Sequence, residues 1–347
     1  MEVSVVRDRW LNLWDAGNYY GLTKRGVDLT FWGRATGNGS IPWDELSELY
    51  PDAHFRSYNH VYEIIDTEPD ILDLPDAHYE FTQKMVGRGI KSFIVAFDNV
   101  PGKNTINASA LKALQEATGH IARSALARRA LLFDGVPDER IRRIPGAVDT
   151  KFFRPLPNIN REDAVLYVGR LVSEKGVESL IWAMKDLPGT ELWIVGQGPE
   201  ERMLRKWTDW AGIAGRTKWK GQLSRNQLAD IMRLAKVLAV PSIPKMGDHP
   251  YSTWLEQFGQ VIIEGLASGL PIVGSNAGSI PEVGGDTAGL YQPPLHWPDM
   301  TRNLNDVIYS KDIWDRMSRA ARKRAVKYYD QLEVADKLIA WYNVAGE

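Results

Sequence analysis

Val165-Leu-Tyr-Val-Gly-Arg-Leu-Val-Ser-Glu-Lys-Gly176 reads as a buried strand, a loop carrying two cations, and the start of a helix. Glu191-Leu-Trp-Ile-Val-Gly-Gln-Gly-Pro-Glu200 repeats the pattern, and Lys218-Trp-Lys-Gly-Gln-Leu223 and Lys236-Val-Leu-Ala-Val-Pro-Ser242 continue it. Strands separated by helical stretches predict an α/β fold with a parallel sheet and binding sites at the strand ends. Gly196 and Gly198 either let the backbone approach a ligand or simply make a turn. The third glycine of a dinucleotide fingerprint is absent, so the segment does not imply NAD.

Further along, Trp254-Leu-Glu-Gln-Phe-Gly-Gln-Val-Ile-Ile-Glu-Gly-Leu-Ala-Ser-Gly269 places Glu256 on a loop and Glu264 on a helix that stops at Gly269. The helix start near Gly259-Gln260 exposes N–H groups and a partial positive charge, which suit phosphate or sugar oxygens. Ionised carboxylates only accept hydrogen bonds, so each suits a pair of vicinal hydroxyls, one on a hexose and the other on a ribose. The alternative is a pair of solvated helix-end charges. In the upstream loop, Arg170 offers a planar fork and Lys175 a mobile point charge, a combination that fits a diphosphate. The alternative there is a surface Arg, and a Lys paired with Glu174 or Glu178.

The order Gly-Arg-Leu-x-x-Glu-Lys-Gly, Val-Gly-x-Gly-Pro, Pro-Ser, Glu-Gln-Phe-Gly-x-x-x-x-Glu and Gly-Ser-x-x-Gly-x-Ile-Pro-Glu-Val resembles the donor-binding domain of the retaining glycosyltransferases of family 4, including their E-x7-E motif. The likeness covers roughly residues 140 to 343 and begins at Arg143-Ile-Pro-Gly-Ala-Val-Asp-Thr-Lys-Phe-Phe-Arg-Pro155, similar to the family's interdomain segment. It implies the GT-B fold, two Rossmann-like α/β domains with parallel sheets facing across a cleft. The expected division is an acceptor-side domain over 1–155, a nucleotide-sugar donor domain over 156–325, and a C-terminal helix over 326–347 that crosses back to the first domain. The prolines and polar residues of Pro155-Leu-Pro-Asn-Ile-Asn160 suit the connector.

Carried over by position, the resemblance implies that Arg170 and Lys175 hold the donor diphosphate and that Glu264 accepts from the ribose hydroxyls. Glu256 would touch the transferred sugar, and backbone amides of Gln257, Phe258 and Gly259 would contact sugar or phosphate. The Lys220-Gly221-Gln222 segment would meet the nucleobase. The implied activity moves a sugar from a nucleoside-diphosphate sugar to a hydroxyl acceptor, which could be a glycan, a lipid-linked molecule or a small molecule, with retention and without a metal. The alternatives are a non-catalytic nucleotide-sugar-binding subunit and a GT-B nucleotide-sugar epimerase.

The N-terminal half departs from the family. Val3-Ser-Val-Val-Arg7 reads as the first strand, but no glycine-rich loop follows it, only the separated Gly17 and Gly21. Gly17 is the residue left to approach the donor phosphates. Asp98, in Phe93-Ile-Val-Ala-Phe-Asp-Asn-Val-Pro101, stands where the family often carries an active-site histidine, and either orients a hydroxyl or forms a turn. His78 lies in a loop and either lines the cleft or is a structural or solvated histidine. Asp248 to Trp254 reads as a loop over the sugar, with Trp254 a stacking platform or packed under its own loop.

Composition is that of a globular protein: 347 residues, 44% hydrophobic and 25% charged. A net charge of −2 gives no general attraction to nucleic acid, and zero cysteines exclude thiol catalysis and disulfides. The six histidines show no metal-ligand spacing, and there is no Asp-x-Asp pair, so no catalytic metal is expected. The charged N-terminus is unlike a signal peptide and no run reaches ~18 apolar residues, which together imply a cytoplasmic protein without a transmembrane segment. Ile121 to Phe133 reads as a half-buried helix with a solvated Arg face, or as a basic amphipathic contact with a membrane surface.

Overall fold

The computed structural model describes residues 1–7, 17–34, 43–75, 90–96, 108–245 and 254–344. The chain divides into two compact units, Met1–Ala147 with Tyr329–Glu347, and Val148–Tyr328.

The first unit carries β1 (Glu2–Arg7), β2 (Asp28–Arg34), β3 (His54–Tyr58), β4 (Ile71–Pro75), β5 (Lys91–Ala96), β6 (Gly119–Ala122) and β7 (Ile141–Arg143), in the spatial order 3-2-1-4-5-6-7. The second carries β8 (Ala164–Val168), β9 (Glu191–Val195), β10 (Thr217–Gly221), β11 (Val237–Val240), β12 (Ile272–Ser275) and β13 (Gly289–Gln292), in the order 10-9-8-11-12-13. Among the described residues every pairing between these strands is parallel. Each sheet therefore runs outward from its first strand in both directions, the doubly wound arrangement. In the second unit the order reverses between β8 and β11. Ligands of such sheets bind outside the carboxyl ends of the strands at that reversal.

The burial pattern explains why these strands lie inside. β11 is buried at all four positions and β8 at its first four, the continuous apolar reading of a strand covered on both faces. Val165, Ile194, Val237 and Val273 pack with Leu180 and Met184 of the helix Val177–Met184 and with Met300 and Leu304 of the helix Trp297–Tyr309.

In the first unit the terminal helix Gln331–Val344 buries Val334, Leu338, Trp341 and Tyr342 against Val3, Val5, Leu29, Phe31 and Phe93. Two hydroxyls, from Tyr19 at 2.8 Å and Tyr342 at 2.6 Å, donate to the fully buried Asp73 on β4. Arg25 forks onto Asp336 at 2.6 and 2.7 Å. Gly21 has a structural purpose here: a Cβ would lie 2.1 Å from the Gln331 carbonyl oxygen, so glycine lets the short helix Tyr20–Thr23 touch the terminal helix.

Three expectations are revised. The units part between Ala147 and Val148 rather than after Pro155, because residues 149–155 are anchored in the second unit. Asp149 accepts from the amides of Lys151 and Phe152, Phe153 is buried, Arg233 donates to the carbonyls of Phe152 and Arg154, and Arg322 donates to that of Phe153. The C-terminal piece that joins the first unit starts at Tyr329, not at residue 326. The basic segment from Ile121 is also not one helix: Gly119–Ala122 forms β6, and Ser124 caps a helix over Ala125–Phe133 by accepting from the Ala127 amide. That helix is half buried through Ala127, Ala130 and Leu131. No helix among the described residues is long and apolar enough to cross a membrane.

Candidate functional site

The loop leaving β8 is folded back on its neighbours by backbone contacts. The Gly169 and Leu171 amides donate to the carbonyls of Val195 and Gln197, at 3.0 and 2.9 Å. Gly196 and Gly198 serve this contact: a Cβ on either would lie 1.9 or 2.3 Å from the Gly169 or Leu171 carbonyl oxygen, so their small size brings two loops together. A 3-10 turn over Ser173–Lys175 then ends at Gly176, which is left-handed at φ 64. A Cβ at Gly176 would stand 2.1 Å from the carbonyl oxygen of Pro241, just past β11. The β8 and β11 ends are thus in direct contact at the reversal point.

Lys175 and Glu256 meet there. The Lys175 ammonium lies 2.7 Å from Glu256 Oε2, and only 19% of its side chain is exposed. The Ser242 hydroxyl donates to the same carboxylate oxygen at 2.9 Å, and Ser242 is held in turn by the Ser275 hydroxyl on its carbonyl. The backbone of Glu256 is fixed as well, since its carbonyl accepts from the Ser279 amide at 2.9 Å and Gly278, at φ 59, passes close enough to leave no room for a Cβ. Beside this pair, Arg170 reaches Glu174 Oε1 at 3.6 Å and Lys245 reaches Glu174 Oε2 at 3.2 Å. Burial pushes the Glu174 carboxyl up, but a backbone hydrogen bond and the charges of Lys245 and Arg170 outweigh it, so it titrates below the usual range. The Tyr167 hydroxyl donates to the Arg170 carbonyl at 2.7 Å, and burial, with the charge of Glu256 adding, pushes its ionisation up.

Glu264 is different. It sits on the helix Gln260–Ala267, which starts after the left-handed Gly259, and is only 2% exposed. Its carboxylate has no hydrogen bond and no ion pair among the described residues. Desolvation raises its pKa well above the ordinary 4.5, and the positive charge of Arg225 opposes this only in part. A buried carboxylate without donors is expensive, and such groups are found where a ligand supplies the missing partner.

The remaining positions fall as follows. Gln257, Phe258 and Gly259 form the turn between Glu256 and the helix, with Phe258 buried beneath it. Gly221 ends β10 in the left-handed region at φ 64 and accepts from the Gly196 amide at 2.7 Å, which places it at the same carboxyl edge. Gly17 packs against Tyr50, whose hydroxyl would stand 3.2 Å from a Cβ. Trp254 turns its ring to Lys175, with the ammonium 4.7 Å from the ring centre. Asp98, His78 and residues 248–253 lie outside the described residues.

The family model of the glycosyl transferases group 1 matches residues 148–324, half of the chain. The chain belongs to this family. The match is confined to the second unit, where the Lys175–Glu256 pair and Glu264 lie. Among curated members, the MMP alpha-(1->4)-mannosyltransferase of Mycolicibacterium hassiacum is 30% identical over 64% of this chain and 53% of its own length. A glycogen synthase of Mycobacterium tuberculosis is 31% identical over 49% of this chain and 40% of its own. The chain spans about half the length of the curated relatives it matches. Over nearly the whole chain the fold is that of Anabaena HepE in complex with UDP, with TM-score 0.81 and 17% identity, covering 98% of this chain and 99% of that one. The architecture is therefore GT-B, two parallel-sheet α/β units.

Ser242, Lys245 and Arg225 join the family's motif residues at this site without having been marked by sequence as site residues. Ser242 carried a signal, since it follows β11 directly, beside β8 at the reversal. Lys245 and Arg225 carried none, because their partners are distant in sequence.

Proposed function

We propose that this chain is a retaining glycosyltransferase, which moves a sugar from a nucleoside-diphosphate sugar to a hydroxyl acceptor without a metal. The observation that carries the reading is Glu264. Its carboxylate, on a residue only 2% exposed and without a side-chain hydrogen bond among the described residues, stands midway along the helix that follows Glu256. A vicinal diol such as that of ribose supplies two O–H donors to such a group. The loop after β8, which meets Glu256, offers Arg170 and Lys175 for a diphosphate.

Breaking the anomeric C–O bond leaves negative charge on the diphosphate and positive charge on the sugar ring. Arg170, Lys175 and the N–H groups at Gly259–Gln260 stabilise the former directly. The charge a divalent cation would otherwise supply comes from these two side chains. Glu256 holds the sugar hydroxyls and steadies Lys175. Transfer occurs on one face of the sugar: the acceptor oxygen forms the new bond as the old one breaks, and its proton passes to the leaving phosphate oxygen. Sugar-bound relatives support a donor of this class, since HepE is known with UDP and glucose together.

The test is incubation with UDP-, GDP- and ADP-sugars, reading nucleoside diphosphate release and the anomeric configuration of any product. Release accompanied by a retained glycoside supports the proposal. Donor binding without release, in the presence of a broad hydroxyl-acceptor panel, identifies a nucleotide-sugar-binding subunit instead.

A further inference from the structure

Lys245 and Trp254 form an isolated antiparallel bridge, with the Lys245 amide 3.0 Å from the Trp254 carbonyl and the Trp254 amide 2.7 Å from the Lys245 carbonyl. The bridge is tied to the loop after β8, because the Ile243 amide donates to the Glu174 carbonyl at 2.9 Å. From this one backbone unit one side chain reaches Lys175 itself and the other reaches Glu174, the carboxylate that Arg170 also contacts. Trp254 lays its ring against the Lys175 ammonium, 4.7 Å from the ring centre, while Glu256 holds the same ammonium. Lys245 takes Glu174 Oε2 at 3.2 Å, leaving Arg170 on the other oxygen at 3.6 Å.

We propose that Lys245 and Trp254 are positioning residues that keep Arg170 and Lys175 available for a diphosphate, Lys245 by satisfying Glu174 in place of Arg170, and Trp254 by confining Lys175. The inference rests on the reading that this site binds a nucleoside diphosphate.

The physical reasoning runs through competition and order. Glu174 is largely buried and attracts any cation in reach, whereas Arg170 is 65% exposed and only loosely engaged. With Lys245 present, the carboxylate is neutralised and Arg170 can leave it at little loss. Without Lys245, Arg170 becomes the main counter-charge of Glu174, and diphosphate binding has to break that pair first. Lys175 is a flexible side chain with a strongly hydrated head. A ring on one side and a carboxylate on the other hold it in one place and exclude water before the ligand arrives, so less order is lost on binding.

The experiment is a pair of double-mutant cycles on the full chain, reading the dissociation constants of UDP, GDP, ADP and the corresponding nucleosides by calorimetry. Lys245→Met is expected to weaken the diphosphate that binds wild type by roughly five- to tenfold and to leave its nucleoside unchanged. In a Glu174→Gln background the same change has no further effect, because Arg170 then has no carboxylate to fall back on. Trp254→Leu is expected to weaken the diphosphate roughly three- to fivefold, Trp254→Phe to restore most of it, and Lys175→Met to abolish the difference. Equal losses in the paired backgrounds, or equal losses for nucleoside and diphosphate, overturn the inference while the site stands. Wild type that binds none of the three diphosphates overturns the site reading and this inference together.

Discussion

Glu264 is only 2% exposed and has no side-chain donor among the described residues, and this has consequences with opposite signs for stability and binding. Its folded pKa is raised above the unfolded value. The native state therefore holds the proton over a pH range in which the unfolded chain has released it, and stability falls as pH rises from about 4.5 through the folded pKa. Glu264→Gln removes this titration, and is predicted to raise the melting temperature of the empty protein at neutral pH, checked by thermal denaturation between pH 4 and 8. The same variant loses a charge-assisted hydrogen bond of roughly 1.5 to 3 kcal/mol to a bound ribose, so nucleotide affinity falls. Stabilisation of the empty protein with unchanged affinity would leave Glu264 a mere defect in packing. Glu256 has the complementary role. If Glu256 contacts the transferred sugar as proposed, Glu256→Gln should depress turnover more than nucleoside diphosphate affinity; a parallel loss of both would make it a general binding residue.

At the scale of elements, the site depends on close contacts that only glycine permits. Gly176 is left-handed and lies against Pro241, so it joins the β8 and β11 ends that carry Lys175 and Ser242. Gly176→Ala is predicted to destabilise the protein by at least about 1 kcal/mol and to weaken diphosphate binding as well, measured by denaturant unfolding and calorimetry. Gly21 makes the contrasting case, because it serves the packing of two helices in the first unit. Gly21→Ala is predicted to cost roughly 1 to 3 kcal/mol of stability with nucleotide affinity unchanged. This contrast also shows what sequence can say of such residues. Gly17 and Gly21 were the separated glycines left after the first strand, where the family carries a glycine-rich loop, yet a glycine needed for helix packing carries the same one-letter signal as one needed for a ligand. Gly196 and Gly198 were ambiguous for the same reason, and the structure gives them to loop packing.

Over the whole molecule, legibility follows the distance between a residue and its partner along the chain. Arg170 and Lys175 follow β8, Ser242 follows β11, and Glu264 lies eight positions after Glu256, so strand-end position and spacing marked candidates, and the family resemblance supplied the donor-side roles proposed for them. The Lys245–Trp254 bridge and the Arg225 charge near Glu264 depend on tertiary contacts that no local pattern announces. The unit boundary was displaced for a related reason, since Pro155 to Asn160 has the composition of a connector while Arg233 and Arg322 fasten the residues before it to the second unit. In the first unit, β1 and β5 were legible as strands, while the doubly wound order that matches the second unit emerged only from pairing.

The most direct measurement is calorimetric titration of wild type and Glu264→Gln with UDP, GDP and ADP at several pH values between 5 and 8, in buffers of different ionisation enthalpy. Hydroxyls donating to Glu264 favour its ionised form, so binding to wild type should release a proton wherever the empty site holds one, and affinity should rise with pH over that window. In Glu264→Gln that proton release should disappear and the affinity should be lower throughout. Identical affinity and identical proton release in the two proteins, or no binding of any of the three nucleotides to wild type, would contradict the assignment of this site to a nucleoside-diphosphate sugar.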